Sequence, residues 1–279
     1  MTGGPLARAG GPARRFVVAL ARAFGGAIFF ALPLLMTMEM WWLGFYMDRL
    51  RLALFLAAFI PLLVGLSHFA GFEPTETWLD DVRDAFVALV VGFVTAASAL
   101  ALAGLLRPEM ATDEMIGMVA LEAIPASVGA ALAAGILGGS DEELMHEEQP
   151  RYAGELFLMA AGAVFFAFNV APTEEMIVIG FKMSPWHVVA AAVASLALMH
   201  AFVYAVEFHG QERAPEGAHP WGIFLRFTVV GYAIALLVSA YVLWTFGRFD
   251  DAGPASVVAT TVVLALPASL GAAAARLVL

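Results

Sequence analysis

Cysteine is absent from the 279-residue chain, which excludes disulfide scaffolds, thiol nucleophiles and thiolate metal sites. Charge is scarce: 14% of residues are Asp, Glu, Lys or Arg, against about a quarter in ordinary soluble domains. What charge there is leans acidic, with a net value of −10. No basic excess is available to neutralise a phosphate backbone, so nucleic acid is not an expected partner. The short alternating segments of a β-barrel are missing as well. So are a nucleotide-binding loop, a serine triad, a zinc signature and a haem motif. The expectation is a protein that is not an enzyme and has no cofactor, a bound cation aside.

Apolar residues are abundant instead, at 62%, which rules out a disordered chain. A helix needs roughly 20 apolar residues to cross a bilayer core. Stretches nearly free of charge occur at 23–47, 52–71, 85–106, 115–138, 156–173, 183–206, 227–247 and 255–275. The expected fold is an all-α polytopic membrane protein with eight transmembrane helices, and the lipid bilayer is its first partner. A basic arm at 1–22 and an acidic linker at 139–155 make up most of the remainder. Nine Lys or Arg residues flank the side that holds the termini and five flank the other, an asymmetry that places both termini in the cytoplasm.

The chain also repeats itself. A shift of 136 residues lays Gly26–Ala31 on Gly162–Ala167, Thr37 on Thr173, Glu39 on Glu175 and Gly44 on Gly180. A shift of 143 pairs Trp78 with Trp221, Arg83 with Arg226 and Gly104 with Gly247. A shift of 142 lays Pro125–Ala131 on Pro267–Ala273 with six of seven residues identical. Apolar composition alone does not match Glu, Thr, Trp, Arg and Pro in one order, so two four-span repeats are expected, at 23–138 and 156–279. Four is even, so the repeats share one orientation in the membrane.

The runs Leu32–Met47 and Asp80–Leu89 resemble a bacterial family of integral membrane proteins of unknown function. The resemblance extends over the chain beyond the basic arm. It implies the bacterial inner membrane, and it implies neither an activity nor functional residues.

Those residues must be sought among ionisable groups at membrane depth, which are costly there and functional by default. Glu39 and Glu175 stand at matched places, Glu174 beside the second, with Thr37 and Thr173 two positions before each pair member. At 1.5 Å per residue Glu39 lies about 24 Å along its span, in the outer part of the membrane. One reading is a symmetric acidic pair at the ion site of a cation channel or transporter, proton- or calcium-linked. Another places both acids in an interfacial belt with Trp41, Trp42 and Tyr46, on a non-transporting scaffold or sensor. Oligomer contacts are a third use. Asn169 to Glu175, interrupted by Pro172, reads either as an unwound ion-facing stretch or as a plain helix end. Glu122 matches Leu264 and so has no acidic counterpart. Arg83 and Arg226 read as cytoplasmic anchors, Arg83 within an ion-pair cluster of Asp80, Asp81 and Asp84. Pro125, Ser127 and Gly129, with Pro267, Ser269 and Gly271, read as a small-residue packing stripe, or as a hinge. His68 and His200 are not matched by the repeat and read as packing residues.

Overall fold

A computed structural model describes residues 12–70, 77–137, 152–204 and 220–278. Every regular element among them is helical: α1 (Pro12–Leu35), α2 (Met38–Tyr46), α3 (Arg49–Ala70), α4 (Trp78–Leu102), α5 (Thr112–Leu137), α6 (Tyr152–Val170), α7 (Glu175–Lys182), α8 (Pro185–Tyr204), α9 (Pro220–Ile223), a π-helical stretch (Phe224–Val229), α10 (Val230–Thr245) and α11 (Pro254–Val278). Eight of the helical segments are long and apolar enough to cross a membrane, as the hydropathy pattern implies. Half of the arm at 1–22 and most of the acidic linker at 139–155 lie outside the described residues. From Pro12 onward the expected arm is the first part of α1.

The boundaries of the first span are corrected. The nearly charge-free run 23–47 is not one helix: the span-length helix ends at Leu35. Pro33 has no N–H to give the Phe29 carbonyl. The Leu34 carbonyl is then taken by Thr37, whose backbone N–H and Oγ1 donate to it at 2.9 and 2.7 Å. The chain restarts as the short α2 at Met38.

The chain divides into two compact units, Met1–Gly44 with Leu56–Glu147 and Phe45–Phe55 with Glu148–Leu279. In the first, α5 packs against both α1 and α4 and is the innermost of the three, more deeply buried than either. Gly129 lets α1 approach: a Cβ there would lie 2.2 Å from the Gly26 carbonyl oxygen. Gly44 seats α2 on α5, where a Cβ would lie 2.6 Å from the Met118 backbone. Helix α4 starts on Thr77, whose N–H and Oγ1 both donate to the Asp80 carboxylate at 3.2 and 2.7 Å. It ends on Gly104 at φ 70°, with the Leu105 N–H returning to the Leu100 carbonyl at 2.9 Å, the left-handed closure that glycine permits.

In the second unit α11 is the inner helix, packed by α6, α7, α8 and α10. Its approach to α6 rests on Gly162 and Gly271, each of whose Cβ positions would lie within 2.3 Å of the other's carbonyl oxygen. Gly180 seats α7 against Thr260. Helix α10 closes on Gly247 at φ 70°, with the Arg248 N–H donating to Leu243 at 2.9 Å. Phe55 stacks on Phe168 at 5.6 Å and meets Phe246 edge-on, tying Phe45–Phe55 into this unit.

Candidate functional site

Glu39 does not lie inside a span. It stands in the first turn of α2, two residues past the Thr37 break, and is half-buried. Carboxylates suit that place, because the first N–H groups of a helix have no partner in the helix itself. Glu175 opens α7 in the same manner. Both Glu174 and Glu175 are exposed. Thr173 repeats the geometry of Thr37: its N–H and Oγ1 donate to the Val170 carbonyl at 3.0 and 2.8 Å.

The stretch from Asn169 to Glu175 is the end of α6, a turn at 171–174 and the start of α7, with Ala171 and Pro172 buried. Asn169 Nδ2 donates to the Phe165 carbonyl at 2.7 Å. The Pro172 carbonyl, left over by the break, accepts from the Arg248 guanidinium. A cation already occupies that oxygen, and it is a side chain. Arg248 escapes sequence inspection because nothing in its own surroundings points 76 residues back along the chain.

Near it, Arg51 makes a two-pronged pair with Asp250, both N···O distances 2.8 Å, and lies 5.2 Å from the Trp244 ring centre. Hydrogen bonding from Arg51 holds the Asp250 carboxyl below its ordinary value.

At the other end of the first unit the acids on α4 divide. Arg83 pairs with Asp80 at 3.2 Å, whereas Asp81 is 3.0 Å from Nδ1 of His68. Asp81 and Asp84 turn inward and are buried, at 5% and 9% exposure. They share a face with Ala85, Ala88, Val91, Gly92 and Thr95, the helical spacing that carries one stripe into a core. Thus His68, read from sequence as packing, contacts an acid. His200 meets a hydroxyl instead, Thr228 Oγ1 at 2.9 Å.

Arg226 stands in the π-helical stretch, its guanidinium 4.4 Å from the Tyr152 ring and its carbonyl accepting from Tyr152 Oη at 2.8 Å. Arg276 pairs with Glu155 at 3.0 Å, both largely buried, and lies over the Phe227 ring at 3.9 Å.

Glu122 is the most enclosed ionisable side chain of the set. It is fully buried in α5, and neither carboxyl oxygen has a hydrogen-bond partner among the described residues. Three residues on, Pro125 leaves the Leu121 carbonyl without its helix donor, yet α5 runs through unbroken, as α11 does through Pro267. Ser127 and Ser269, both fully buried, donate to Ala123 and Leu266 carbonyls at 2.6 and 2.8 Å. No group of three or more His, Asp or Glu side chains among the described residues could hold a metal ion. An open dent of about 150 Å³ between α3 and α4 is lined by Ile60, Leu63, Ala85, Phe86 and Leu89 and contains none of the candidate acids.

No curated protein matches the chain, and no solved structure does. A family model matches residues 19–279, the extent that the runs at Leu32–Met47 and Asp80–Leu89 imply. With its eight span-length helices, the chain belongs to the family described as "Putative integral membrane protein (DUF2391)".

Proposed function

We propose that the protein moves a small cation across the bacterial inner membrane, as a channel or transporter with both termini in the cytoplasm. Its frame is two four-helix repeats of one orientation, 23–138 and 156–279, with the arm 1–22 and the linker 139–155 outside them. Several contacts support the repeat at the offsets read from sequence. The glycine crossings Gly26/Gly129 and Gly162/Gly271, the seats Gly44/Met118 and Gly180/Thr260, and the closures at Gly104 and Gly247 all correspond.

One observation carries the ion site. The same helix break, with the same threonine bonded three residues back, precedes Glu39 and Glu175. In this reading the paired acids and their neighbours Thr37, Thr173 and Glu174 attract the ion, since acidic rings favour cations in pores. Proton and calcium coupling both suit carboxylates. Nothing catalytic is required, and no cofactor beyond the ion. Reconstituted in vesicles, the protein is expected to support cation or proton flux that Glu39→Gln with Glu175→Gln abolishes. Unchanged flux in that double variant contradicts the reading.

The exposure of Glu174 and Glu175 beside a helix end favours a second reading, a non-transporting scaffold or sensor whose acids face partners or lipid headgroups. It expects vesicles with and without the protein to leak alike.

A further inference from the structure

We propose that the first unit carries an intramembrane proton-binding site at Glu122, loaded from the end of α4 where Asp81, Asp84 and His68 lie. The proposal rests on the transport reading and adds to it a proton site in one half of the molecule.

An ionised carboxylate with no partner costs several kcal/mol in a protein interior, and more pressingly in hydrocarbon. Glu122 therefore holds either a proton or a cation. A hard metal cation wants about six to eight oxygens with carboxylates among them, and no cluster of three or more Asp, Glu or His side chains forms among the described residues. After Arg22, α1 has no ionisable residue. On α4 they are Asp80, Asp81, Arg83 and Asp84, all near its start; on α5 Asp113 and Glu114, both in its first turn; on α2 Glu39; on α3 His68 beyond its initial arginines. A proton needs one carboxyl oxygen.

The second unit supplies the control. At the offsets of the repeat, Glu122 becomes Leu264, Asp81 becomes Phe224, Asp84 becomes Phe227 and His68 becomes Tyr204. Leu264 is as fully buried as Glu122, so packing at that position does not call for an acid. All four positions that are polar in one unit carry a large apolar or aromatic residue in the other. There the corresponding end is filled by the Phe227 ring under Arg276, itself paired with Glu155. The counterparts of that ion pair in the first unit are Ala134 and Ala19.

Between the acids, α4 and α5 approach closely through small residues. Gly92 on α4 lies against Ala123 and the Ser127 hydroxyl on α5. A short connection at 103–111 makes the two helices antiparallel. Asp84 then lies about 12 Å along the axis on one side of that crossing, and Glu122 about 5 Å on the other. Ala85, Ala88 and Gly92 face inward between them, with Ser127 as the intervening hydroxyl and buried Thr95 at the level of Glu122.

Infrared spectroscopy of the whole protein in lipid vesicles tests the site without requiring transport. The carboxylic-acid C=O band that disappears in Glu122→Gln belongs to Glu122. It is expected to shift in D2O, to decline as pH rises, and to exchange more slowly in Asp84→Asn. Glu122→Leu, which installs the residue found at 264, is the second reference should the Gln variant fold poorly. Absence of such a band in the wild-type protein overturns the proposal. So does a band indifferent to both D2O and pH, or one erased at fixed pH by Na⁺, K⁺ or Ca²⁺. The outcomes separate from those of the transport reading. A responsive band with flux unaltered by the Glu39 and Glu175 variants removes the acidic pair and keeps this site. An inert band with flux abolished by them does the reverse.

Discussion

The two units use the same backbone devices and fill them with different chemistry. Each crosses its first and last helices at a glycine pair, seats a short helix through a glycine and closes its third span on a left-handed glycine. The first buries Asp81, Asp84 and Glu122 beside hydroxyls such as Thr95 and Ser127, whereas the fully buried polar side chains described in the second are all hydroxyls, among them Thr228, Ser239 and Thr260. Backbone approach is intolerant of change, because a Cβ at a 2.2 Å contact has nowhere to go. Side chains at the same buried level are free to differ so long as their volume fits. The difference teaches where to look: a position that must be Gly in both units serves the frame, and one that is Glu in one and Leu in the other serves something else.

The largest effect is expected from forcing the units to exchange that chemistry. Leu264→Glu should destabilise the protein by several kcal/mol, the cost of an unpartnered buried acid, whereas Glu122→Leu should be neutral or stabilising by about 1–4 kcal/mol. Thermal unfolding in lipid or detergent reads both, and a destabilised Glu122→Leu would mean that the acid is part of the packing after all. Next come Gly129→Ala and Gly271→Ala, each expected to cost about 1–3 kcal/mol by overpacking. Similar losses would sharpen the likeness of the frames, and a loss in only one would break it. Thr37→Val and Thr173→Val should each cost about 1 kcal/mol or less, because the backbone N–H still holds the same carbonyl. The smallest effect separates the units by pH. Asp250 is lowered by its bonds to Arg51, so its contribution is complete above the ordinary aspartate value and fades as pH falls through the lowered one. Asp250→Asn should narrow the stability difference between neutral and acid solution slightly, since the pair is exposed. No change in the pH profile would mean that the pair contributes nothing.

The number of spans was legible because it depends on summed hydropathy. The break after Leu35 was not, because Met36, Met38 and Met40 keep the window apolar through a place where the hydrogen bonding changes. The turn at Pro172 was legible from the proline, but its partner Arg248 was not, since only the folded chain brings the two together. At the acidic end of α4 the spacing of Asp81, Asp84, Ala85 and Ala88 already marked one helical face. What it could not give was the direction of that face: Arg83 draws only Asp80 outward, and the other two acids turn in. The unlike pair Glu122 and Leu264 was visible from the repeat alone, and its meaning came with the burial of both.

Proton and cation flux into vesicles carrying Glu39→Gln or Glu175→Gln singly tests the paired acidic site most directly. The account expects each single variant to lose most of the wild-type flux, and to a similar extent. Wild-type flux in either variant would contradict it.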